Sequence, residues 1–362
     1  MTDSQLSDTD YAVSSEGPAK ESRPLAYSFW LGTFIVRGSV TPRILIDVIG
    51  FGVIATASVF ACQYAKRHHD VDLTIPSGPF GVAGAVLGLL LVLRLNAGYD
   101  RWWEARKLWG GIVNQSRNLA IAGLAYGPPD QQWRVQFIKW IAAFPHVTRR
   151  SLRGERNMPE LALLLSPKQI QWLLTNQHLP DAVSREIASL LAEGRKSGMD
   201  GFAFQEAEKQ RGLLIDHLGG CERILKTPLA RSGAIQVRQF IFLLLATLPF
   251  TLLQDFEGTL YGSLVGSDES DRIWLVPVFI MILAYMLLSL DRIGMELQNP
   301  FDTRRVDFLP LDSICTTIEQ NVLELLHADD LHDYLAPKPE HVELPPDASK
   351  HISDDDLAAD IS

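Results

Sequence analysis

The sequence predicts an all-α membrane protein, with four transmembrane helices joined to a cytoplasmic helical bundle. Three observations predict it. Of 362 residues, 47% are hydrophobic, and most of these fall into four runs instead of spreading evenly. Arginines gather before the first and third runs and after the second and fourth, which is one side of a membrane that all four cross. No segment shows the two-residue alternation of a half-buried strand, whereas the long block between the second and third runs is polar and helix-patterned.

Taken in order, residues 1–22 carry Asp3, Asp8, Asp10, Glu16 and Glu21 against Lys20, and no apolar stretch there marks a cleavable signal peptide. Residues 331–362 form a similar acidic tail, and such Pro-, Ser- and acid-rich ends bury too little apolar surface to order themselves. Residues 1–22 hold −4 and residues 337–362 hold −5 of the net −10, which leaves the body near −1. Nucleic acid is not an expected partner of such a chain.

YSFWLGTFIVRGSV then reads as an amphipathic segment with Tyr27 and Trp30 at headgroup depth. Pro42 opens the first run, where its missing N–H costs little. Ile44–Cys62 holds one charge, Asp47, while Phe80–Leu93, Phe240–Leu253 and Ile273–Leu290 hold none. A spanning helix takes about 20 residues. With flanks Pro76–Pro79 and Gln236–Gln239 the two short runs reach that length, giving helices at about 43–65, 77–97, 236–256 and 272–291.

Arg23, Arg37 and Arg43 precede the first run, and Arg94, Arg101, Arg106 and Lys107 follow the second. Arg231 and Arg238 precede the third, and Arg292 follows the fourth, so these ends and both termini are expected in the cytoplasm. Without a proline before Pro128, the second helix should run on from the membrane as one rod that ends at GPPD. Residues 131–226 should fold as a bundle with turns at HLPD and GRKSGMDG, and a last helix is expected at roughly 311–328. The body at 23–330 is then one unit, with its cytoplasmic helical region at about 98–235 and 292–330.

Candidate functional residues gather on the second span. Gly84 and Gly88 form a GxxxG that permits close helix approach. Ala85, Leu89 and Leu93 share one face at i, i+4 and i+8. They are either ordinary lipid-facing residues or, with several copies around an axis, a hydrophobic constriction that gates ions by dewetting. Ser77 to Pro79 are expected to cap the helix that Gly78, Phe80 and Gly81 begin, either as a plain helix cap or, if the helix lines a pore, as an outer mouth whose free N–H groups attract an anion.

Asp47 is costly in lipid and should face protein, water or an arginine such as Arg43. His68, His69, Asp70 and Asp72 read as a solvated loop and not as a metal site. Cys62, Cys221 and Cys315 lie far apart and read as reduced packing residues. No nucleophile elbow, phosphate loop or HExxH is present, so nothing in the sequence supports an enzyme, and no cofactor is expected.

NAGYDRWWEARKLWGGIVNQSRNLA resembles the signature of the bestrophin family, particularly its bacterial branch. SFWLGTFIVRGSVTPRIL, GGCERILKTPLA and NPFDTRRVDFLPLDSIC resemble further family segments in the family's order, so the likeness covers about residues 27–328. It implies a bestrophin-like homopentamer around a central pore in a bacterial inner membrane, with permeant monovalent ions, the bilayer and further copies of itself as partners. The family's hydrophobic neck falls on Ala85, Leu89 and Leu93, with alanine where larger residues are common. Its second constriction would fall near Met199. Asp100, Arg101, Trp102, Trp103, Glu104 and Arg106 form the structural motif, expected to hold helices or subunits together through ion pairs.

Chloride-type anion conduction is the expectation from animal and plant relatives. Sodium conduction, as in some bacterial relatives, is the alternative, and the acidic outer loop with Asp255, Glu257, Asp268, Glu269 and Asp271 would favour it. A scaffold or sensor without conduction is a third reading. Animal members hold activating calcium in a clasp just after NPF. Here the block reads Asn299, Pro300, Phe301, Asp302, and Asp307 also remains, but Arg304 stands where those members have an acid. A cation there repels calcium, and the oxygens left are few. Current is therefore expected to stay unchanged across micromolar calcium, and a steep calcium dependence would contradict this reading.

Overall fold

The structure, a computed structural model, describes residues 38–227, 231–258 and 274–335. The two acidic tails up to residue 22 and from residue 336, the interfacial segment with Tyr27 and Trp30, and the acidic loop side chains at 255–271 lie outside the described residues. Among the described residues every regular element is helical.

Helix α1 (Thr41–His69) starts with proline in its first turn and buries Ile44, Val48, Ala55, Val59 and Cys62 as one stripe. Helix α2 (Gly78–Tyr126) is a single helix of 49 residues, interrupted by neither proline nor a turn, and Gly127 ends it. The polar block forms α3 (Gln131–Leu152), a short 3-10 turn at Pro159–Leu163, α4 (Pro167–Leu174), α5 (Leu179–Lys196) and α6 (Gly201–Lys226). Asp130, Ser166, His178 and Asp200 cap α3 to α6 by accepting backbone N–H groups, so each turn residue fixes where its helix begins. Between α5 and α6, Gly198 sits at φ +109°, a conformation that favours glycine.

Helices α7 (Arg231–Gly258) and α8 (Leu275–Glu296) follow, and α9 (Leu311–Leu335) runs past residue 328 and five residues into the region expected to be an acidic tail. Helices α1, α7 and α8 and the first half of α2 are long and apolar enough to cross a membrane. The fourth crossing helix extends to Glu296, beyond the expected end at 291, and its last two turns bury Asp291 and Glu296 in place of facing water.

Two regions of packing result. Among the spans, Leu87 and Leu91 of α2 meet Ile241 and Leu245 of α7 and Ala284 of α8. Beyond them, the second half of α2 joins α3, α5, α6 and α9 around a large core that includes Trp109, Phe137, Trp140, Phe144 and Phe301. The Trp133 ring stacks on Phe137 at 4.8 Å, and its indole N–H donates to the Leu190 carbonyl at 2.8 Å. A methyl group on Gly123 would stand 2.1 Å from the Phe137 ring, so only glycine lets α2 and α3 approach there. Cys62, Cys221 and Cys315 are buried free thiols, and burial pushes Cys221 and Cys315 up to about 12.

Between the two regions, α8 carries the charges that tie the spans together. Asp291 accepts from Arg94 of α2 and, at 3.1 Å, from Arg238 Nε of α7. Glu296, wholly buried, pairs with Arg43 of α1 at 2.7 Å and Arg292 at 2.8 Å, and it accepts the Val306 N–H at 3.1 Å. Removing one partner of such a buried pair leaves the other charge uncompensated, at about 3–5 kcal/mol. Asp291→Asn is therefore expected to lower unfolding stability in detergent by that amount. Lys209→Gln, on the exposed Lys209–Glu206 pair, should change it by less than about 1 kcal/mol.

Candidate functional site

Helix α2 has two faces of opposite character. Leu87, Leu91, Gly98, Ala105 and Trp109 are buried, and at about 100° per residue they fall on one side of the helix. Ala85, Leu89 and Leu93 fall roughly half a turn away, and Leu89 and Leu93 are 60% and 56% exposed. Along the same outward line the helix continues as Asn96, Asp100, Trp103 and Lys107, all exposed, so an apolar stripe passes into a polar one just after Arg94. Only 11% of the apolar stretch of α2 is buried within the chain, against 28–33% for the other three spans. Of the four, α2 is the span most in need of an external neighbour.

The inward face is fixed by the charged junction and by a close helix crossing. A methyl group on Gly98 would stand 3.0 Å from the Gly294 carbonyl oxygen, so α2 and α8 touch nearly backbone to backbone. One turn earlier, Arg94 pairs with Asp291 and also donates to the Ala234 carbonyl of α7 at 3.4 Å. The sequence reading singled out neither Asp291 nor Glu296. Their only local signal was two acids retained where an apolar run becomes a polar turn.

Within the chain, the motif after Arg94 ties its helix to α6 and to the block after α8 mainly through carbonyls. Arg101 donates to carbonyls: Thr227 at 2.6 Å, Gln298 at 3.2 Å and Ile224. It therefore satisfies carbonyls at the C-terminal end of α6 and just beyond α8, where a cation is favoured. The Trp102 indole N–H donates to the Asp307 carbonyl at 2.9 Å, and Trp103 lies nearly parallel to Tyr99, 6.5 Å away. Among the described residues, Glu104 is the member of the motif that forms an ion pair, with Arg223 of α6, whereas Asp100 and Arg106 are exposed.

At the other end of α2, Ser77 precedes the helix in helical backbone geometry, and its side chain makes no capping bond. The expected serine cap is thus absent. Phe80 donates its N–H to the Ser77 carbonyl at 3.1 Å, and Ser77, Gly78 and Gly81 are exposed. Met199, where the second constriction was expected, is buried in the core beyond the membrane, so its side chain lines no open path within the chain. The neighbouring Phe202 is 84% exposed.

The block after α8 folds back on itself. Asn299 accepts the Phe301 N–H at 3.3 Å, Phe301 is buried, and Leu309 donates to the Pro300 carbonyl at 2.8 Å. Arg304 forks onto Asp302 with bonds of 3.0 and 3.2 Å, and this arginine holds the Asp302 carboxyl below the usual range. Burial, then the charge of Glu296, pushes the Asp307 carboxyl above it. Asp302 is thus occupied by a cation of the chain itself. Among the described residues no three His, Cys, Asp or Glu side chains converge as a metal site would require.

Comparison with known proteins gives this geometry its setting. The model of the bacterial/fungal bestrophin family matches residues 20–324. A voltage-dependent anion channel-forming protein of Mesorhizobium japonicum is 32% identical over 295 residues, covering 81% of this chain and 88% of its own length. One of the same description from Nostoc sp. is also 32% identical, over 300 residues, covering 81% and 90%. Among solved structures, a bacterial bestrophin homologue from Klebsiella pneumoniae superposes with a TM-score of 0.68 at 22% identity, over 78% of this chain and 98% of the other. The chain belongs to the bacterial/fungal bestrophin family.

Proposed function

We propose that this protein is a passive ion channel in which α2 lines a central pore. The carrying observation is the outward stripe of Ala85, Leu89 and Leu93, opposite the face that packs against the rest of the chain. Several copies placed around an axis turn that stripe into stacked apolar rings, a neck that resists wetting. Alanine at 85 makes the first ring the widest. Past Arg94 the same line turns polar, and it forms the wall of a wet vestibule inside the bundle. Five copies is the number that the family resemblance implies.

Chloride and other small monovalent anions are the proposed permeant ions. The relatives from Mesorhizobium japonicum and Nostoc sp. are described as anion channel-forming proteins, which supports this sign. The exposed start of α2 at Ser77, Gly78 and Gly81, with the positive end of the helix dipole, favours the same ions. The basic ends of the spans favour a bacterial inner membrane with the bundle and both termini on its cytoplasmic side. Arg304 on Asp302 supports a channel without a calcium clasp, and no catalytic step is proposed.

The neck can be tested directly. Leu89→Ala combined with Leu93→Ala is expected to raise anion flux through purified protein in liposomes several-fold, because smaller side chains widen and wet the constriction. An unchanged flux would remove these residues from the gate. A complete lack of flux before and after the change would favour a scaffold.

A further inference from the structure

On the bundle side of the membrane spans, α1, α7 and α8 line an open cavity of about 590 Å³ that has no part in the proposed pore. Its lining is divided. One part is charged, with Arg43, Asp47, Arg238, Arg292 and Asp291, the last already paired with Arg94 and Arg238, and the other is apolar, with Phe51, Ile54 and Phe242 among its walls. Gly50 lies between them, and a methyl group added there would meet nothing within 4 Å.

The charges do not balance among themselves. Arg43, Arg94, Arg238 and Arg292 share two carboxylates, Asp291 and Glu296. That leaves an excess of positive charge on arginines whose side chains, at Arg43, Arg238 and Arg292, remain 34%, 49% and 31% exposed. Asp47 faces the same cavity, yet it makes no hydrogen bond or ion pair among the described residues. An unpaired carboxylate inside a spanning helix is costly unless a cation or water meets it. The open cavity therefore presents a cationic group for a phosphate, a separate anionic group for an ammonium, and an apolar wall beside both.

We infer that this cavity is a binding site for an aminophospholipid of the phosphatidylethanolamine type. Arg238 and Arg292 take the phosphate, Asp47 takes the ammonium, and an acyl chain lies along Ile54, Phe51 and Phe242. A purely anionic headgroup would satisfy the arginines but place its charge beside Asp47. A choline headgroup carries the positive charge without an N–H to donate. The reading is independent of which ion the channel conducts.

The test uses the full-length protein, delipidated in detergent, with binding read from the shift of its thermal unfolding midpoint. Dioctanoyl phosphatidylethanolamine should raise the midpoint in a saturable way, more than the phosphatidylglycerol and phosphatidylcholine of the same chain length. Glycerophosphoethanolamine, which has no acyl chains, should raise it little. Asp47→Asn should weaken the ethanolamine lipid about tenfold and bring it level with the choline lipid. Gly50→Leu extends into the space where a methyl group meets nothing within 4 Å, so it should keep the unliganded midpoint and lose the shift.

Phosphatidylglycerol binding as tightly as phosphatidylethanolamine would overturn the recognition of an amine. An equal effect from glycerophosphoethanolamine would overturn a lipid as the source. No shift with any lipid would mean that the cavity is covered in the assembled protein, and would overturn the site itself.

Discussion

Two buried carboxylates near the end of one helix hold this molecule in register. Helices in lipid gain little from the hydrophobic effect when they associate, because the surrounding chains are as apolar as their own side chains. Close packing and polar contacts must therefore decide how the spans meet. Asp291 takes Arg94 and Arg238, and Glu296 takes Arg43, Arg292 and the Val306 N–H, so α8 reaches every other span and the loop that follows it. The close approach at Gly98 and Gly294 brings α2 and α8 near enough for these pairs to form.

Everything proposed for α2 depends on that anchorage. Arg94, Gly98, Arg101 and Trp102 all lie on the inward side and bind α8, α6 and the block after α8. The helix is thereby fixed in rotation as well as in position, and rotation is what aims Leu89 and Leu93 away from the chain. A rotation of about half a turn would make the stripe a packing surface and expose Arg94 in its place. The charged motif directly after an apolar span is thus the device that orients the span. The same arginines, shared among too few carboxylates, leave the cavity beside Asp47 with charge to offer a lipid.

The parts of this arrangement that were legible in the sequence are those set by local composition. Four apolar runs announced four long helices, the lack of proline before Pro128 announced the length of α2, and the spacing of Ala85, Leu89 and Leu93 placed them on one face. The outward aim of that face was not legible, because it comes from partners far away in the chain: Arg94 and Asp291 are 197 residues apart, and Arg101 and Ile224 are 123 apart. Arg101 looked like a member of an ion pair because acids stood near it in sequence, yet its bonds go to carbonyls at helix ends. Ser77 looked like a cap by residue type, but helical backbone geometry at that position keeps its hydroxyl from the first turn. Likeness to a family pointed to the neighbourhood of Met199, where Met199 itself packs in the core and Phe202 stands exposed.

The central claim is that α2 is aimed by its anchored face so that copies of its outward stripe enclose a pore selective for small anions. The reversal potential of purified protein in a bilayer under asymmetric KCl tests it most directly. A reversal potential close to the chloride equilibrium value is the predicted result. A value close to the potassium equilibrium value would mean that cations pass, and the account of the permeant ion would be wrong.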